Sequence, residues 1–290
     1  MPELPEVETV RRGLLRLVVG KRVGAVRAID SPKSFPNDPT SVNEFMIGAI
    51  ITDVRRRAKV LLIDLSTDYT LVIHLKMTGQ LVYRGKERFG AGHPNDSLIG
   101  ELPDRSTRVE ITFSDDEKVF FNDQRKFGWI KLFPTIEVPN IDFMQRVGPE
   151  PLEDSFTSSE FIPRIRRRQN TTIKAAILDQ TVLAGVGNIY ADESLWGAKI
   201  HPATRVRDVT DEQLALLLKE IKYVMNLAIE KGGSTDRNYV NAEGKRGSYI
   251  DFARVFRKEG QACPRCGRIV EKTRVAGRGT HLCPICQRQA

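Results

Sequence analysis

The stretch CPRCGRIVEKTRVAGRGTHLCPIC, residues 263–286, determines how the C-terminal end of this 290-residue chain folds. It holds all four cysteines, as one Cys-x-x-Cys pair at Cys263 and Cys266 and another at Cys283 and Cys286. Two such turns can present four thiolates to one tetrahedral zinc ion. Two disulfides are the alternative, but a cytosolic protein keeps its thiols reduced. The pattern therefore predicts one Zn2+ per chain, which holds the short tail folded.

The tail is also strongly basic. Residues 251–290 carry nine Lys and Arg against three Asp and Glu, within a net charge of +8 for the chain. A local basic excess favours a surface that binds a polyanion such as nucleic acid. The chain has no apolar run of membrane length and begins with acids, unlike a signal peptide. We therefore expect a cytoplasmic protein with no membrane partner.

Upstream of the tail, the sequence pattern is helical. Thr210 and Gln213 form a capping box that precedes one apolar helix face. That face comprises Leu214, Leu217, Leu218, Ile221, Met225 and Ala228. In AGVGNIYADESLW, residues 184–196, two glycines allow a tight turn before a helix that begins near Asn188. The N–H groups at that helix start, with the Asn188 amide, predict a phosphate site.

Residues 22–133 instead alternate short apolar runs with turns. VEITFSDDEKVFF, residues 109–121, predicts a hairpin, and the region as a whole predicts two β-sheets packed face to face. The polar stretch 84–106 is interpreted as a long loop, and the proline-rich stretch 133–151 as the place of an interdomain hinge.

The predicted fold class is therefore α+β. We predict an N-terminal helix and two-layer β-sandwich over residues 1–135, a hinge over 136–150, a helical domain over 151–257 and a zinc-bearing hairpin over 258–290. The N-terminal helix is predicted from MPELPEVETV, because Pro5 suits the first helical position and Glu8 can cap the helix start. Pro2 and Glu3 precede this helix: capping explains Glu3 only in part, and helix formation does not explain Pro2.

Four stretches, in order, resemble the formamidopyrimidine-DNA glycosylase family. They are MPELPEVETV, DQRKFGW at 123–129, QTVLAGVGNIYADESLWGAKIHP at 180–202, and the cysteine-rich tail. The resemblance implies a helix-two-turn-helix domain, a C-terminal zinc finger, and a monomeric bifunctional glycosylase and AP lyase. Its implied partner is double-stranded DNA containing oxidised purines such as 8-oxoguanine and formamidopyrimidines. Two alternatives are an endonuclease VIII-like enzyme for oxidised pyrimidines and a non-catalytic, zinc-containing protein that binds damaged DNA.

The resemblance also implies catalytic roles. Once Met1 is removed, the Pro2 nitrogen is the nucleophile that forms an iminium with the sugar, and β- and δ-elimination cleave the strand. A free N-terminal amine suits this role because its pKa is about 7.7 to 8.0. Glu3 is assigned proton transfer at the opening sugar ring, and Glu6 a supporting role through hydrogen bonds.

The implied DNA contacts follow from base flipping, which leaves a gap to be filled. Met77 and Phe127 are the implied wedges, and Arg125 reaches the orphaned cytosine. Lys59 and Arg278 are assigned to the DNA at the lesion, and Lys174, Asn188 and Arg237 to phosphates. A solvated lysine is the alternative for Lys59, core packing is the alternative for Met77 and Phe127, and residues 55–57 are interpreted as phosphate-facing or solvated arginines.

One stretch departs from the family pattern. The family usually has a His-Asp-His type stretch before the strand VEITF, whereas this chain has RSTR at residues 105–108.

Overall fold

The computed structural model describes residues 2–234 and 249–289, which fall into two compact units. The first unit comprises Met1–Gln145 and Lys231–Ser248, and the second comprises Arg146–Glu230 and Tyr249–Ala290. The division after residue 145 lies within the predicted hinge. The four domain boundaries given above, and the hinge itself, stay predictions.

The first unit begins with α1 (Leu4–Val18). Glu3 is its N-cap in a capping box: the Glu3 side chain accepts from the Glu6 N–H, and the Glu6 carboxylate accepts from the Glu3 N–H at 2.7 Å. Pro5 lies in the first turn, where its missing N–H costs nothing. Val7, Val10 and Leu14 are buried along one face, which confirms the helix that their spacing predicts.

Two antiparallel sheets follow. The five-stranded sheet has the order β1-β7-β8-β5-β6, and the four-stranded sheet has the order β2-β3-β4-β9. The strands are β1 (Val23–Ala28), β2 (Ile51–Arg57), β3 (Val60–Leu65), β4 (Tyr69–His74), β5 (Gly79–Arg84), β6 (Arg88–Gly92), β7 (Thr107–Phe113), β8 (Lys118–Asp123) and β9 (Trp129–Pro134), with helix α2 (Pro39–Phe45) between β1 and β2. Side chains from both sheets and α1 share one apolar core, as the two-layer prediction requires. The predicted hairpin is β7 with β8.

Two stretches differ from the sequence interpretation. The predicted loop 84–106 contains β6, which pairs with β5 because Phe89 and Ala91 alternate into the core. Gly13 makes room for the Phe89 ring, since a Cβ there would lie 2.1 Å from Phe89 Cζ. In the stretch 133–151, a 3-10 helix (Thr135–Asn140) and α3 (Asp142–Arg146) replace the expected irregular chain. Val138 in the 3-10 helix is buried against side chains of the four-stranded sheet.

The second unit contains α4 (Ser158–Arg166), α5 (Ile173–Leu178), α6 (Asn188–Gly197), α7 (Asp211–Glu230) and the hairpin of β10 (Glu271–Val275) and β11 (Arg278–Leu282). Thr210 and Gln213 make both hydrogen bonds of the predicted capping box, at 2.9 and 3.3 Å. The predicted apolar face of α7 is buried, and α6 begins at Asn188 as expected. None of the helices within 2–234 and 249–289 has both the length and the apolar character needed to cross a bilayer.

Candidate active site and zinc centre

Pro2 and Glu3 are buried directly before the first turn of α1. The first turn of α1 places the positive end of the helix dipole near them. Glu6 binds two backbone segments at once, because its Oε2 accepts from the Glu3 N–H and its Oε1 accepts from the Ser234 N–H at 2.7 Å. Gly233 has φ of +91° and lies against Glu6, so a glycine is required there. This arrangement matches the supporting role expected for Glu6.

Glu8 does not cap the helix, which corrects that expectation. Its carboxylate binds Arg11 at 2.8 Å, Arg12 at 2.9 Å and Arg56 at 3.1 Å. Burial alone would raise the pKa of Glu8, but hydrogen bonds from Arg11 and Arg12 and the nearby positive charges lower it to about 2. Arg56 is therefore an ion-pair partner rather than a solvated or phosphate-facing side chain, and Arg55 similarly pairs with Asp64.

Lys59 lies in the two-residue turn between β2 and β3, beside Ala58 at φ of +51°, and is mostly buried rather than solvated. His74, at the end of β4, has its pKa lowered to about 3 by burial and by the charges of Lys76 and Lys59. Neutral His74 accepts the Lys76 N–H at Nδ1, at 3.0 Å. This bond fixes the turn that carries Met77.

Met77, Arg125 and Phe127 lie on exposed connections between strands. Met77 is 38% exposed and Phe127 is 53% exposed, so neither is a core residue. The Arg125 guanidinium carbon lies 4.8 Å from the centre of the Phe127 ring, and the two side chains stack. This placement is what joint insertion into DNA requires, and the insertion itself stays a prediction.

In the second unit, Lys174 and Asn188 both bind the hairpin backbone. The fully buried Lys174 ammonium donates to Asp192 Oδ1 at 2.6 Å, to Thr280 Oγ1 at 2.7 Å and to the Gly279 carbonyl at 3.1 Å. The Asn188 amide donates to the same carbonyl at 3.0 Å. A buried ammonium with these partners favours an indirect role for Lys174 over the expected direct phosphate contact.

Arg278 is the exposed first residue of β11 and pairs with Val275 across the hairpin. It directly precedes Gly279, whose carbonyl Lys174 and Asn188 bind. Arg237, the remaining expected phosphate contact, lies in 235–248, outside the described residues.

The four cysteines form a cluster in which all Sγ atoms lie within 4.8 Å of one another. Cys263 and Cys286 Sγ are 3.9 Å apart, and Cys266 and Cys283 Sγ are 3.4 Å apart. A tetrahedral site with Zn–S bonds of about 2.3 Å has S···S edges of about 3.8 Å. Trp196 Nε1 donates to Cys263 Sγ at 3.4 Å, an outer contact typical of thiolate ligands. The donor set and its spacing fit zinc.

Comparisons with known proteins agree with this geometry. Residues 1–130 match the family model of the formamidopyrimidine-DNA glycosylase N-terminal domain, residues 147–239 its H2TH domain model, and residues 260–289 a zinc finger found in FPG and IleRS. The formamidopyrimidine-DNA glycosylase of Herpetosiphon aurantiacus is 41% identical over 99% of this chain and 100% of its own. That of Streptococcus pneumoniae is 40% identical over 100% of both chains.

The chain belongs to the formamidopyrimidine-DNA glycosylase family. Two solved structures of similar fold are DNA complexes. The Lactococcus lactis Fpg bound to abasic-site DNA has a TM-score of 0.86 and 33% identity, and covers 99% of this chain and 100% of its own. A MutM complex with DNA containing carbocyclic 8-oxoguanine has a TM-score of 0.85 and 34% identity at the same coverage. As in the family's zinc-finger model, the four cysteines bind one zinc ion per chain.

The stretch that departs from the family pattern has a structural role in this glycosylase. Arg108 is buried, and its Nε donates to the Asp123 carbonyl at 2.9 Å. Its guanidinium also donates to the Arg105 carbonyl at 2.8 Å. Arg108 therefore fixes the backbone at Asp123, where the 123–129 stretch begins.

Sequence reasoning missed three polar residues that hold the site residues: Thr78, Asp123 and Asp192. Asp123 is the first residue of the quoted stretch DQRKFGW. An aspartate before a short polar turn often binds the backbone of that turn, so its position could have indicated this role. Asp192 lies within the quoted helix-start stretch, but nothing local distinguishes it from a solvated helix residue.

Proposed function

We propose that this protein is a monomeric, bifunctional DNA glycosylase and AP lyase that removes oxidised purines from double-stranded DNA. The observation that carries the proposal is the placement of Pro2 and Glu3, buried at the positive end of α1 with the Glu3 N–H held by the Glu6 carboxylate. The full-length matches to formamidopyrimidine-DNA glycosylases support the same activity. A cytoplasmic location is also proposed, since four cysteines placed for zinc rather than for disulfides are typical of a reducing compartment.

In the proposed mechanism, removal of Met1 makes the Pro2 nitrogen a secondary amine. The positive end of the α1 dipole disfavours its protonated form, which leaves the lone pair free for attack. The nitrogen forms a bond to the sugar C1′ while the bond from C1′ to the base nitrogen breaks, and the base leaves with a proton. Glu3 moves the proton needed to open the sugar ring.

Ring opening leaves an iminium between Pro2 and C1′, which withdraws electrons from the sugar. Loss of a C2′ proton then expels the 3′ phosphate, and a second elimination expels the 5′ phosphate. Hydrolysis of the remaining iminium frees Pro2. Glu6 contributes by fixing the backbone of Glu3, and Lys59 by contacting the DNA near the lesion.

DNA binding uses residues of both units. Met77 and Phe127 fill the space left by the flipped nucleotide, and Arg125 binds the orphaned cytosine. The N–H groups at the start of α6, with Asn188 and Arg278, bind phosphates, and Arg237 adds a further phosphate contact. The zinc ion has a structural part: Cys263, Cys266, Cys283 and Cys286 would hold it, and its bonds keep the hairpin that carries Arg278 folded.

Borohydride trapping tests this function. Borohydride reduces an iminium but not an internal amide, so DNA containing 8-oxoguanine should yield a covalent adduct that maps to Pro2. A matched chain with an added residue that prevents Met1 removal should lose trapping and excision but keep its DNA affinity. Glu3→Gln should slow base removal more than cleavage of a preformed abasic site.

The alternatives give different results in the same assay. Faster excision of an oxidised pyrimidine than of 8-oxoguanine would assign the endonuclease VIII-like activity. Tight binding of damaged DNA without any trapped adduct would assign a non-catalytic binding protein. Full excision by the blocked chain would overturn the mechanism.

A further inference from the structure

Asp123 lies beneath two neighbouring connections that both carry residues proposed to enter the DNA. The first connection, residues 75–78 between β4 and β5, carries Met77, and we name it the Met77 loop. The second, residues 124–128 between β8 and β9, carries Arg125 and Phe127, and we name it the Phe127 loop. Asp123 itself is the last residue of β8 and is fully buried.

The Asp123 carboxylate binds both loops. Oδ1 accepts a hydrogen bond from the Thr78 hydroxyl in the Met77 loop and, at 3.2 Å, from the Arg125 N–H in the Phe127 loop. Oδ2 accepts from the Gly128 N–H at 2.6 Å, at the far end of the Phe127 loop. The Arg125 N–H also lies 3.1 Å from Thr78 Oγ1, which joins the loops directly.

The backbone of Asp123 is held by two further hydrogen bonds. The Asp123 N–H donates to the Ser106 carbonyl at 2.8 Å, and Arg108 donates to the Asp123 carbonyl at 2.9 Å. At Gly128, a Cβ would lie 2.7 Å from the Phe121 ring and 3.1 Å from Asp123 Oδ2, so only glycine allows this approach. The backbone of Asp123 is therefore fixed by β7 and the residue before it rather than by the loops.

Both loops contain a residue with a positive backbone φ angle, which residues other than glycine rarely adopt. Lys76 has φ of +50° in the Met77 loop, and Lys126 has φ of +57° in the Phe127 loop. Such conformations persist only where the surrounding structure determines them, and hydrogen bonds to one buried carboxylate provide that constraint.

We propose that Asp123 and Thr78 are positioning residues that couple the Met77 loop to the Phe127 loop, so that the side chains of both loops enter DNA as one preformed unit. The proposal rests on the proposed function, since it concerns how the insertion is prepared. Loops that are already ordered lose less conformational entropy when their side chains enter the distorted DNA. Neither residue needs to touch DNA for this effect.

Thr78→Val tests the proposal, because it removes the hydroxyl and keeps the shape of the side chain. Thr70→Val is a matched control: the buried Thr70 hydroxyl donates to Asp64 Oδ1 at 2.7 Å in the same unit, on β4 and away from both loops. We expect Thr78→Val to slow single-turnover excision of 8-oxoguanine about tenfold, as loss of one hydrogen bond to a charged group would. Cleavage of a preformed abasic site should change by less than about threefold, because flipping is easier there.

Thr78→Ser should restore normal excision, and Thr70→Val should leave both reactions unchanged. A double-mutant cycle then separates positioning from general damage. If the loops are coupled, Thr78→Val should slow excision much less when Phe127 on the other loop is already alanine. Additive losses in the cycle would overturn the proposal, as would equal slowing of both reactions or the same defect in Thr70→Val.

Met77→Ala distinguishes failure of this proposal from failure of the proposed function. If Met77→Ala slows excision selectively while Thr78→Val behaves like the unaltered protein, the loops insert but are not coupled through Thr78. If Met77→Ala changes neither reaction, the insertion role assigned to Met77 is wrong, and this inference fails with it.

Discussion

Asp123 in the first unit and Asp192 in the second are buried aspartates, and each holds an element proposed to contact DNA. The negative charges of the two carboxylates are compensated in different ways. In the first unit, Asp123 accepts from a hydroxyl and from two backbone N–H groups. In the second unit, Asp192 accepts from the Lys174 ammonium at 2.6 Å and from the His281 N–H at 2.9 Å. One site uses neutral donors, whereas the other uses an ion pair.

The difference predicts how each site fails. Neutral donors can be removed one at a time, each at the cost of one hydrogen bond. Removing the cation of a buried ion pair leaves an uncompensated charge, which is far more costly. We therefore expect each donor removed from Asp123 to destabilise the two loops by a small step. Removal of the Lys174 cation should instead destabilise the whole region around Asp192.

Removing zinc should have the largest effect, because the hairpin provides the Gly279 and Thr280 partners of Lys174 and the His281 partner of Asp192. Structural zinc contributes about 10 to 16 kcal/mol in small zinc-binding domains, which is comparable to the stability of a whole domain. A chelator should therefore unfold the hairpin and expose the Lys174–Asp192 pair. In a Trp129→Phe variant, the fluorescence of Trp196, which contacts Cys263, should change as zinc leaves. Unchanged fluorescence and thermal unfolding in zinc-free protein would contradict this.

Lys174→Met should have the next largest effect, because it leaves the Asp192 carboxylate buried without its cation. We expect a loss of about 3 to 5 kcal/mol in the free energy of unfolding, measured by urea titration. Lys118→Met is the control: Lys118 is 39% exposed, and its pair with Glu110 should be worth less than about 1 kcal/mol. Adding Asp192→Asn to Lys174→Met should recover part of the loss. Similar small losses in both single variants would mean that Asp192 does not depend on Lys174.

Glu8 is a third buried carboxylate to compare with Asp123 and Asp192, because three guanidinium groups bind it. Its pKa falls from 4.5 to about 2 in the folded protein, so its charged form stabilises the fold. This contribution is present above pH 4.5 and is lost as the pH falls toward 2. At 1.36 kcal/mol for each unit by which the pKa is lowered, the contribution is about 3 kcal/mol.

Glu8→Gln should therefore lower the free energy of unfolding at pH 7, and the difference from the unaltered protein should shrink between pH 4.5 and 2. Glu44→Gln, at an exposed residue outside this ion-pair cluster, is the control for exchanging a glutamate for a glutamine. A difference that is constant over this range would mean that Glu8 contributes by packing and not by charge.

The sequence predicted the features that local patterns determine. The cysteine spacing, the capping box of α7, and the start of α6 each depend on residues within a few positions of one another. The sequence missed β6 because its glycines resemble a loop, although the core position of Phe89 requires a strand.

The contacts that join the supports to distant elements could not be predicted, because the partners are far apart in sequence. Thr78 and Asp123 are 45 residues apart, and Lys174 is 106 residues from Thr280. Lys174 in particular was expected from the family resemblance to bind phosphate, and only the fold reveals that its ammonium is buried. For Met77 and Phe127 the sequence left core packing as the alternative, and only the family resemblance indicated wedges.

Arg278→Ala should have the smallest effect, on DNA binding alone, because Arg278 is exposed beside the carbonyl that Lys174 and Asn188 hold. Loss of one phosphate contact lowers the slope of log affinity against log salt concentration by roughly one. Arg268→Ala is the matched control, since Arg268 is also an exposed arginine of the zinc-binding tail but lies away from the hairpin tip. Both variants should unfold at the same temperature as the unaltered protein. If Arg278→Ala leaves the slope unchanged, then the buried Lys174–Asp192 pair holds a hairpin tip that does not contact phosphate through this residue. If Arg268→Ala lowers the slope equally, basic residues throughout the tail contribute to DNA binding, and Arg278 at the hairpin tip makes no distinct phosphate contact.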